Sequence, residues 1–566
     1  MRYQFKLASL LAGAALLAAT LPASARAPSA PLPRLDTRGQ AIQLLVDGKP
    51  WIALGGEVHN SSASHSRNMA PVFDKLARMH LNTVVTPVYW ELMEPAEGHF
   101  DFSLVDDQVR LARQHGMRLV LLWFGTLKNA KSTYAPEWVR ADLKRFPRAV
   151  TRPSTLPFAQ GDAAISLLGG AIKAADAAAF AHLTAHLAAT DPQHTVIAIQ
   201  VENETGLLGD SRDRSPMAEA GWNAPVPESL LDYLAQNEGR LAPSLGALWR
   251  SHGGKRAGTW AEVFGTDWQA DEVFMAWTVS HFVDGVAAAG KAKLALPMYT
   301  NAWLGPQKPE DTAGTYPSGA PVPRVFDIWR VGAPHLDWLS PDIYVDDFRG
   351  WSAAYRQPHN PLLIPEARFV VGNLFEALGR HQAIGFSPFG IEDGLPDNQV
   401  AEAYALLAPM LPQLAQAQAA GAVHSWALAP GERQSADFGN YTVTVRGQRE
   451  ALHKMLLDMG VPAPAEAPAS KPQTRGWGAP ELTDIRPTGL ILQLSPDEFL
   501  AVGKDLEITF AAKDQPGQLV ELARVEEGHY VEGRWVAGRV LNGDERLNLL
   551  PADSLGMVRI KLLRPH

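Results

Sequence analysis

Eight short apolar runs punctuate the chain between residues 50 and 388, and segments of helical periodicity separate several of them. The runs are Pro50–Glu57, Thr83–Trp90, Leu119–Phe124, Val196–Val201, Leu294–Asn301, Leu336–Tyr344, Pro361–Glu366 and Ala383–Pro388. An uninterrupted run such as Leu119–Phe124 fits a parallel strand buried on both faces. Between the runs, Met69, Val72, Phe73, Leu76 and Met79 recur at helical spacing, as do Val105, Val109 and Ala112, and residues 171–190 are Ala-rich. Ser103 followed by Asp106 predicts a capping box for the second of these helices. Strand and helix in alternation imply βα repetition, and eight repeats predict a closed (β/α)8 barrel. In such barrels the chemistry sits at the C-terminal strand ends. Here those ends carry Glu57-Val58-His59-Asn60, Tyr89-Trp90-Glu91, Trp123, Glu202-Asn203-Glu204, Asn301-Ala302-Trp303, Asp342-Ile343-Tyr344, Glu366 and Ser387.

Beyond the amphipathic segment 399–418 the pattern changes to short β-like runs between Gly, Asp and Asn turns, among them Val423–Leu428, Tyr441–Val445, Leu490–Leu494, Phe499–Val502, Leu506–Phe510 and Val536–Leu541. The predicted organisation is a catalytic barrel over 41–420 and a β-rich, sandwich-like accessory domain over 421–566, with a Pro/Ala-rich loop near 460–475. At the N-terminus, Arg2 and Lys6 precede an apolar stretch from Leu7 to Leu21 and then Ala23-Ser24-Ala25, the order of a secretory signal peptide. That predicts cleavage near Ala25, a flexible lead-in over 26–40, and a periplasmic or secreted protein with no membrane span.

Composition removes several function classes. The net charge of −9 becomes −11 once Arg2 and Lys6 are cleaved away, and no Lys/Arg block stands out, so nucleic acid is not an expected partner. The absence of cysteine excludes disulfides, thiol nucleophiles and Cys-ligated metals. His182 and His186 lack the intervening Glu of a zinc hydrolase helix, no P-loop or dinucleotide fingerprint is present, and neither a metal nor a cofactor is expected. Nothing in the sequence indicates an oligomeric state.

Two acidic strand ends stand out. Val196–Val201 runs into Glu202-Asn203-Glu204; in a regular strand Glu202 and Glu204 share a face, while a bend at the strand end would separate them. Pro361–Ile364 runs into Pro365-Glu366. An acid after the fourth strand and another after the seventh form the pair a retaining glycosidase needs, one protonating the leaving oxygen and the other attacking the anomeric carbon from about 5–5.5 Å away.

Gln200-Val201-Glu202-Asn203-Glu204, the opening Gly55-Gly56-Glu57-Val58-His59, and the stretch from Asn82-Thr83 through Tyr89-Trp90-Glu91 to Glu94-Pro95 and Gly98–Phe102 resemble glycoside hydrolase family 35, a family of β-galactosidases, over about residues 45–395. The resemblance implies Glu204 as acid/base, Asn203 as partner of the sugar 2-hydroxyl and Glu366 as nucleophile. Glu57 and His59 of the opening are further candidate sugar contacts. Tyr89, Trp123, Trp303 and Tyr344 are candidate wall residues, with core packing as the competing reading for each. The whole looks like the bacterial branch with an appended β domain, which includes enzymes acting on xyloglucan side chains. Three departures mark this chain: Thr205 follows the acid/base where many members carry an aromatic residue, Pro365-Glu366-Ala367-Arg368 differs from the usual nucleophile segment, and Trp123-Phe124-Gly125-Thr126-Leu127-Lys128-Asn129 stands where many members carry a Glu-containing segment. The expected activity is an exported retaining exo-β-galactosidase with a carbohydrate substrate. The competing readings are another retaining β-glycosidase of the clan and a catalytically silent sugar-binding barrel.

Overall fold

The computed structural model describes residues 30–565 apart from 129–132, 157–158, 160–163 and 462–483. The signal-peptide reading, the start of the lead-in and most of the Pro/Ala-rich loop lie outside the described residues.

Eight parallel strands form one sheet: β1 (Ala53–Leu54), β2 (Thr83–Tyr89), β3 (Arg118–Phe124), β4 (Val196–Val201), β5 (Met298–Ala302), β6 (Trp338–Ile343), β7 (Leu363–Ala367) and β8 (Gly385–Pro388). Each lies beside its neighbour in sequence, and β8 pairs with β1 in parallel. The remaining gap is closed just past β1, where Glu57 bridges both Val85 of β2 and Phe389 beyond β8. The result is a (β/α)8 barrel, and the closure lies at the end where the polar strand termini converge. Helix Trp268–Lys291, long and apolar enough to cross a membrane, packs against helix Gly170–Thr190 and buries most of its surface inside the protein.

Three sequence expectations need correction. Pro50 and Trp51 belong to a separate strand, Lys49–Trp51, in a small antiparallel sheet with Gln43–Val46 and Arg34–Asp36, which leaves β1 only two residues long. The same sheet orders part of the 26–40 lead-in, since Arg34–Asp36 pairs with Gln43–Leu45. Ser103 opens its helix without a side-chain cap; its backbone N–H instead donates to the Asp101 carboxylate at 2.8 Å.

From Val423 onward the chain is mainly antiparallel: β9 (Val423–Ala427), β10 (Arg433–Phe438), β11 (Tyr441–Gly447), β12 (Thr488–Ser495), β13 (Glu498–Lys504), β14 (Leu506–Ala512), β15 (Glu521–Val531), β16 (Arg534–Val540) and β17 (Gly556–Leu563). A six-stranded sheet runs β9-β12-β13-β17-β15-β16, and β10-β11-β14 form a second. Alternation along β12 shows how they pack: Leu490 and Leu492 join the barrel's core, whereas Ile491 joins a separate core with Val443 and Val445 of the smaller sheet. At β12 the larger sheet is thus buried on both faces and fastens the β region to the barrel.

Candidate active site

The strand ends place four carboxyl groups and one ammonium in a buried cluster. β4 stops at Val201, and both Glu202 (φ 65°) and Glu204 (φ 43°) then take left-handed backbone, a region that costs residues with a Cβ about 1–2 kcal/mol each. This bend separates two carboxylates that a regular strand would hold on one face. Glu202 accepts the Leu127 N–H at 2.6 Å, while burial and the charge of Asp176 push its pKa well above the usual carboxylate range. Glu204 turns into the cluster. Its backbone N–H donates to Asn301 Oδ1 at 2.7 Å, and Asn301 Nδ2 donates to Asp342 Oδ2 at 2.6 Å, which ties the ends of β4, β5 and β6 together.

Glu366, near the end of β7, accepts the Tyr344 hydroxyl on one oxygen at 2.7 Å and Asn203 Nδ2 on the other at 3.3 Å. Both oxygens of this carboxyl are thus held by side-chain donors from other strand ends. One oxygen from each of Glu204, Asp342 and Glu366 lies within 4.8 Å of the other two. Such a trio could hold a hard cation, and Lys128 supplies a positive charge there, its Nζ 3.3 Å from Glu204 Oε2 and bonded to Asn203 Oδ1.

Burial pushes Glu204 up to about 7, with Lys128 pulling it down and Glu366 pushing it further up. Glu57 and Asp342 are raised well above the carboxylate range, first by burial and then by the negative charge of Glu366. Burial opposes the charge on Lys128, but Glu204 and Glu366 outweigh it and raise its pKa. The site therefore sets Glu204, whose pKa burial lifts to about 7, beside a Glu366 that accepts two side-chain hydrogen bonds.

The structure brings Glu57, Asn203, Glu204, Tyr344 and Glu366 together. His59 is nearer the rim, 2.7 Å from Asp393 and edge-on to Phe389, which also meets the Tyr344 ring. Trp303 is half-buried just beyond Asn301. Tyr89 is buried against Phe124 and a half-exposed Tyr134. Trp123 is a correction: it points away from the cluster, fully buried, meets the Phe180 ring and donates its indole N–H to Asp176 at 2.8 Å, so it packs the barrel wall and takes no part in lining the site. Asn301 and Asp342, which the strand-end pattern displayed without a role, complete the cluster. Lys128 gave no sequence signal beyond its place in the divergent segment after β3.

Among curated proteins, a "Beta-galactosidase" of Xanthomonas manihotis is 36% identical over 108 residues, covering 19% of this chain and 17% of the relative. "Beta-galactosidase 11" of Arabidopsis thaliana is 34% identical over 103 residues, covering 17% of this chain and 12% of the relative. The chain resembles β-galactosidases. That likeness agrees with the family 35 motifs, although the matches span less than a fifth of either relative's length. A domain family of unknown function, DUF5597, matches residues 400–550. Solved structures that superpose include a cold-adapted β-galactosidase from Rahnella sp. R3, with 16% identity, a TM-score of 0.42, and coverage of 70% of this chain and 59% of the other. A catalytic mutant of a GH42 β-galactosidase from G. stearothermophilus also superposes, with 11% identity, a TM-score of 0.42, and coverage of 90% and 98%.

Proposed function

We propose that the protein is an exported, retaining exo-β-galactosidase that removes terminal β-D-galactosyl units from oligosaccharides or from plant polysaccharide side chains such as those of xyloglucan. The observation that carries the reading is the spacing of the two strand-end acids: oxygens of Glu204 and Glu366 approach within 4.8 Å. A retaining enzyme needs about 5–5.5 Å between its carboxyls, and an inverting one about 6.5–9.5 Å, to admit a water. In this mechanism Glu204 protonates the glycosidic oxygen while Glu366 attacks the anomeric carbon. The ionised Glu204 then takes a proton from water, whose oxygen displaces Glu366 from the glycosyl ester. Each acid is only 6% exposed, which suits a pocket that admits a chain end. The curated likenesses support galactose, the β-rich appendage supports the xyloglucan-active branch, and the N-terminal charge and apolar pattern support export.

A panel of nitrophenyl glycosides tests the activity. β-Galactoside should be cleaved fastest. Preference for another β-glycoside would replace the sugar assignment and would trace to the divergent segment that holds Lys128. No turnover of any glycoside would leave a sugar-binding barrel. Export is read from the periplasmic protein by mass spectrometry: a mature chain starting near Arg26 supports it, and one still beginning at Met1 refutes it.

A further inference from the structure

Lys128 is the buried charge that the double displacement leaves unused. We propose that Lys128 is a positioning residue of this site, fixing the Asn203 amide toward Glu366 and pairing with Glu204 where the chain turns after β4. The inference rests on the assignment of Glu204 and Glu366 as acid/base and nucleophile.

The first part follows from hydrogen-bond chemistry. A lysine ammonium has three donors and no acceptor, so the Asn203 atom that it meets must be Oδ1. The amide is then fixed in one of its two orientations, with Nδ2 turned to Glu366 at 3.3 Å. On the roles assigned above, this is the side where the sugar 2-hydroxyl binds. Loss of Lys128 removes the donor that selects Oδ1 on that side of the amide, and the flipped form would set Oδ1 against the Glu366 carboxylate.

The second part follows from burial. The Lys128 side chain is 7% exposed, and an ammonium removed from water costs several kcal/mol unless it is paired. Glu204 is faced by Lys128 from the segment after β3, Asn301 from β5, Asp342 from β6 and Glu366 from β7, with Glu57 from beyond β1 close enough to feel its charge. Lys128 acts as a cation on Glu57, Glu204 and Asp342 alike. It opposes the burial and carboxylate charge that raise the acid, and so holds Glu204 near neutrality where it can both give and recover a proton.

Two readouts on Lys128→Met and Lys128→Arg test this. Carbon-13 NMR of glutamate-labelled protein, with the Glu204 signal assigned through Glu204→Gln, follows ionisation without any substrate. Its midpoint should lie near 7 in the native protein, rise by about one unit or more in Lys128→Met, as loss of an adjacent opposite charge dictates, and stay close to native in Lys128→Arg. Kinetically, the preference for an aryl β-galactoside over its 2-deoxy analogue should fall about tenfold in Lys128→Met, through lost contact at the 2-hydroxyl, and recover in part in Lys128→Arg. An unchanged midpoint in folded Lys128→Met would overturn the electrostatic role, and an unchanged preference would overturn the Asn203 role. If Lys128→Met fails to fold, Lys128→Gln takes its place in both readouts, with the same expected changes and the same refuting results. Should the native protein cleave no galactoside, the galactosidase reading fails while the titration still decides what Lys128 does to Glu204.

Discussion

Removing the Tyr344 hydroxyl by Tyr344→Phe should slow the second half of the reaction more than the first. The hydroxyl donates to Glu366 Oε2 at 2.7 Å, and burial together with the Glu366 charge raises the Tyr344 pKa far enough to keep it a neutral donor. A hydrogen bond to a charged group contributes about 1.5–3 kcal/mol. When Glu366 attacks, its charge diminishes and the bond weakens, so its loss costs little in that step. When water displaces Glu366, the carboxylate is the leaving group and the bond strengthens. With about half the charge restored at that transition state, the loss is about 0.8–1.5 kcal/mol, or about 4- to 13-fold in the rate of glycosyl-enzyme breakdown. Stopped-flow cleavage of aryl β-galactosides over a range of leaving groups reads this directly. The variant should show a burst of phenol, a lowered KM, and a kcat that no longer depends on the leaving group. A fall in kcat that still tracks leaving-group acidity, with no burst, would refute the assignment of Glu366 as the group that departs.

Glu204→Ala should slow substrates with poor leaving groups far more than activated aryl glycosides, and azide should restore turnover as a β-glycosyl azide; equal losses on both classes would remove Glu204 from the acid role. Because Glu204 titrates at about 7 and acts in its protonated form, kcat/KM should fall tenfold per pH unit above that value, and a flat alkaline limb extending two units higher would contradict it. Gly125→Ala would set a Cβ 2.4 Å from Trp123 Nε1, 2.6 Å from Glu202 Oε1 and 2.7 Å from Asp176 Oδ2. Overpacking of that kind costs about 1–3 kcal/mol of stability, read as a lower urea midpoint; an unchanged midpoint would show that these buried groups can yield.

The barrel was legible because its strands are buried on both faces and read as unbroken apolar runs, the clearest being Val196–Val201, which forms β4 over the same residues. The same continuity hid which way each side chain points, and so Trp123, on the helix-facing side of β3, passed for a wall residue. Strands β10 and β15 escaped because many of their residues face solvent and are charged or polar, leaving no apolar run to find, and in β17 Arg559 and Lys561 interrupt the apolar residues. Helix Gln448–Asp458 escaped similarly, with only Gln448 buried. Glu204 and Glu366 were visible as acids closing apolar strands. Lys128 was not, because a lysine in a loop defaults to solvent, and its burial depends on carboxyls delivered by β4, β7 and the segment past β1, distant in sequence and adjacent only after the barrel closes.

Trapping the covalent intermediate tests the two-carboxylate account most directly. A 2-deoxy-2-fluoro-β-galactoside carries a good leaving group, and its fluorine slows breakdown of the glycosyl ester by destabilising the positively charged transition state. The protein should gain one fluorogalactosyl mass, tandem mass spectrometry should place it on Glu366 within Pro365-Glu366-Ala367, and Glu366→Gln should take up none. A label on Glu57, Glu202 or Asp342, or initial release of α-galactose from the unmodified substrate, would show that the nucleophile has been misassigned.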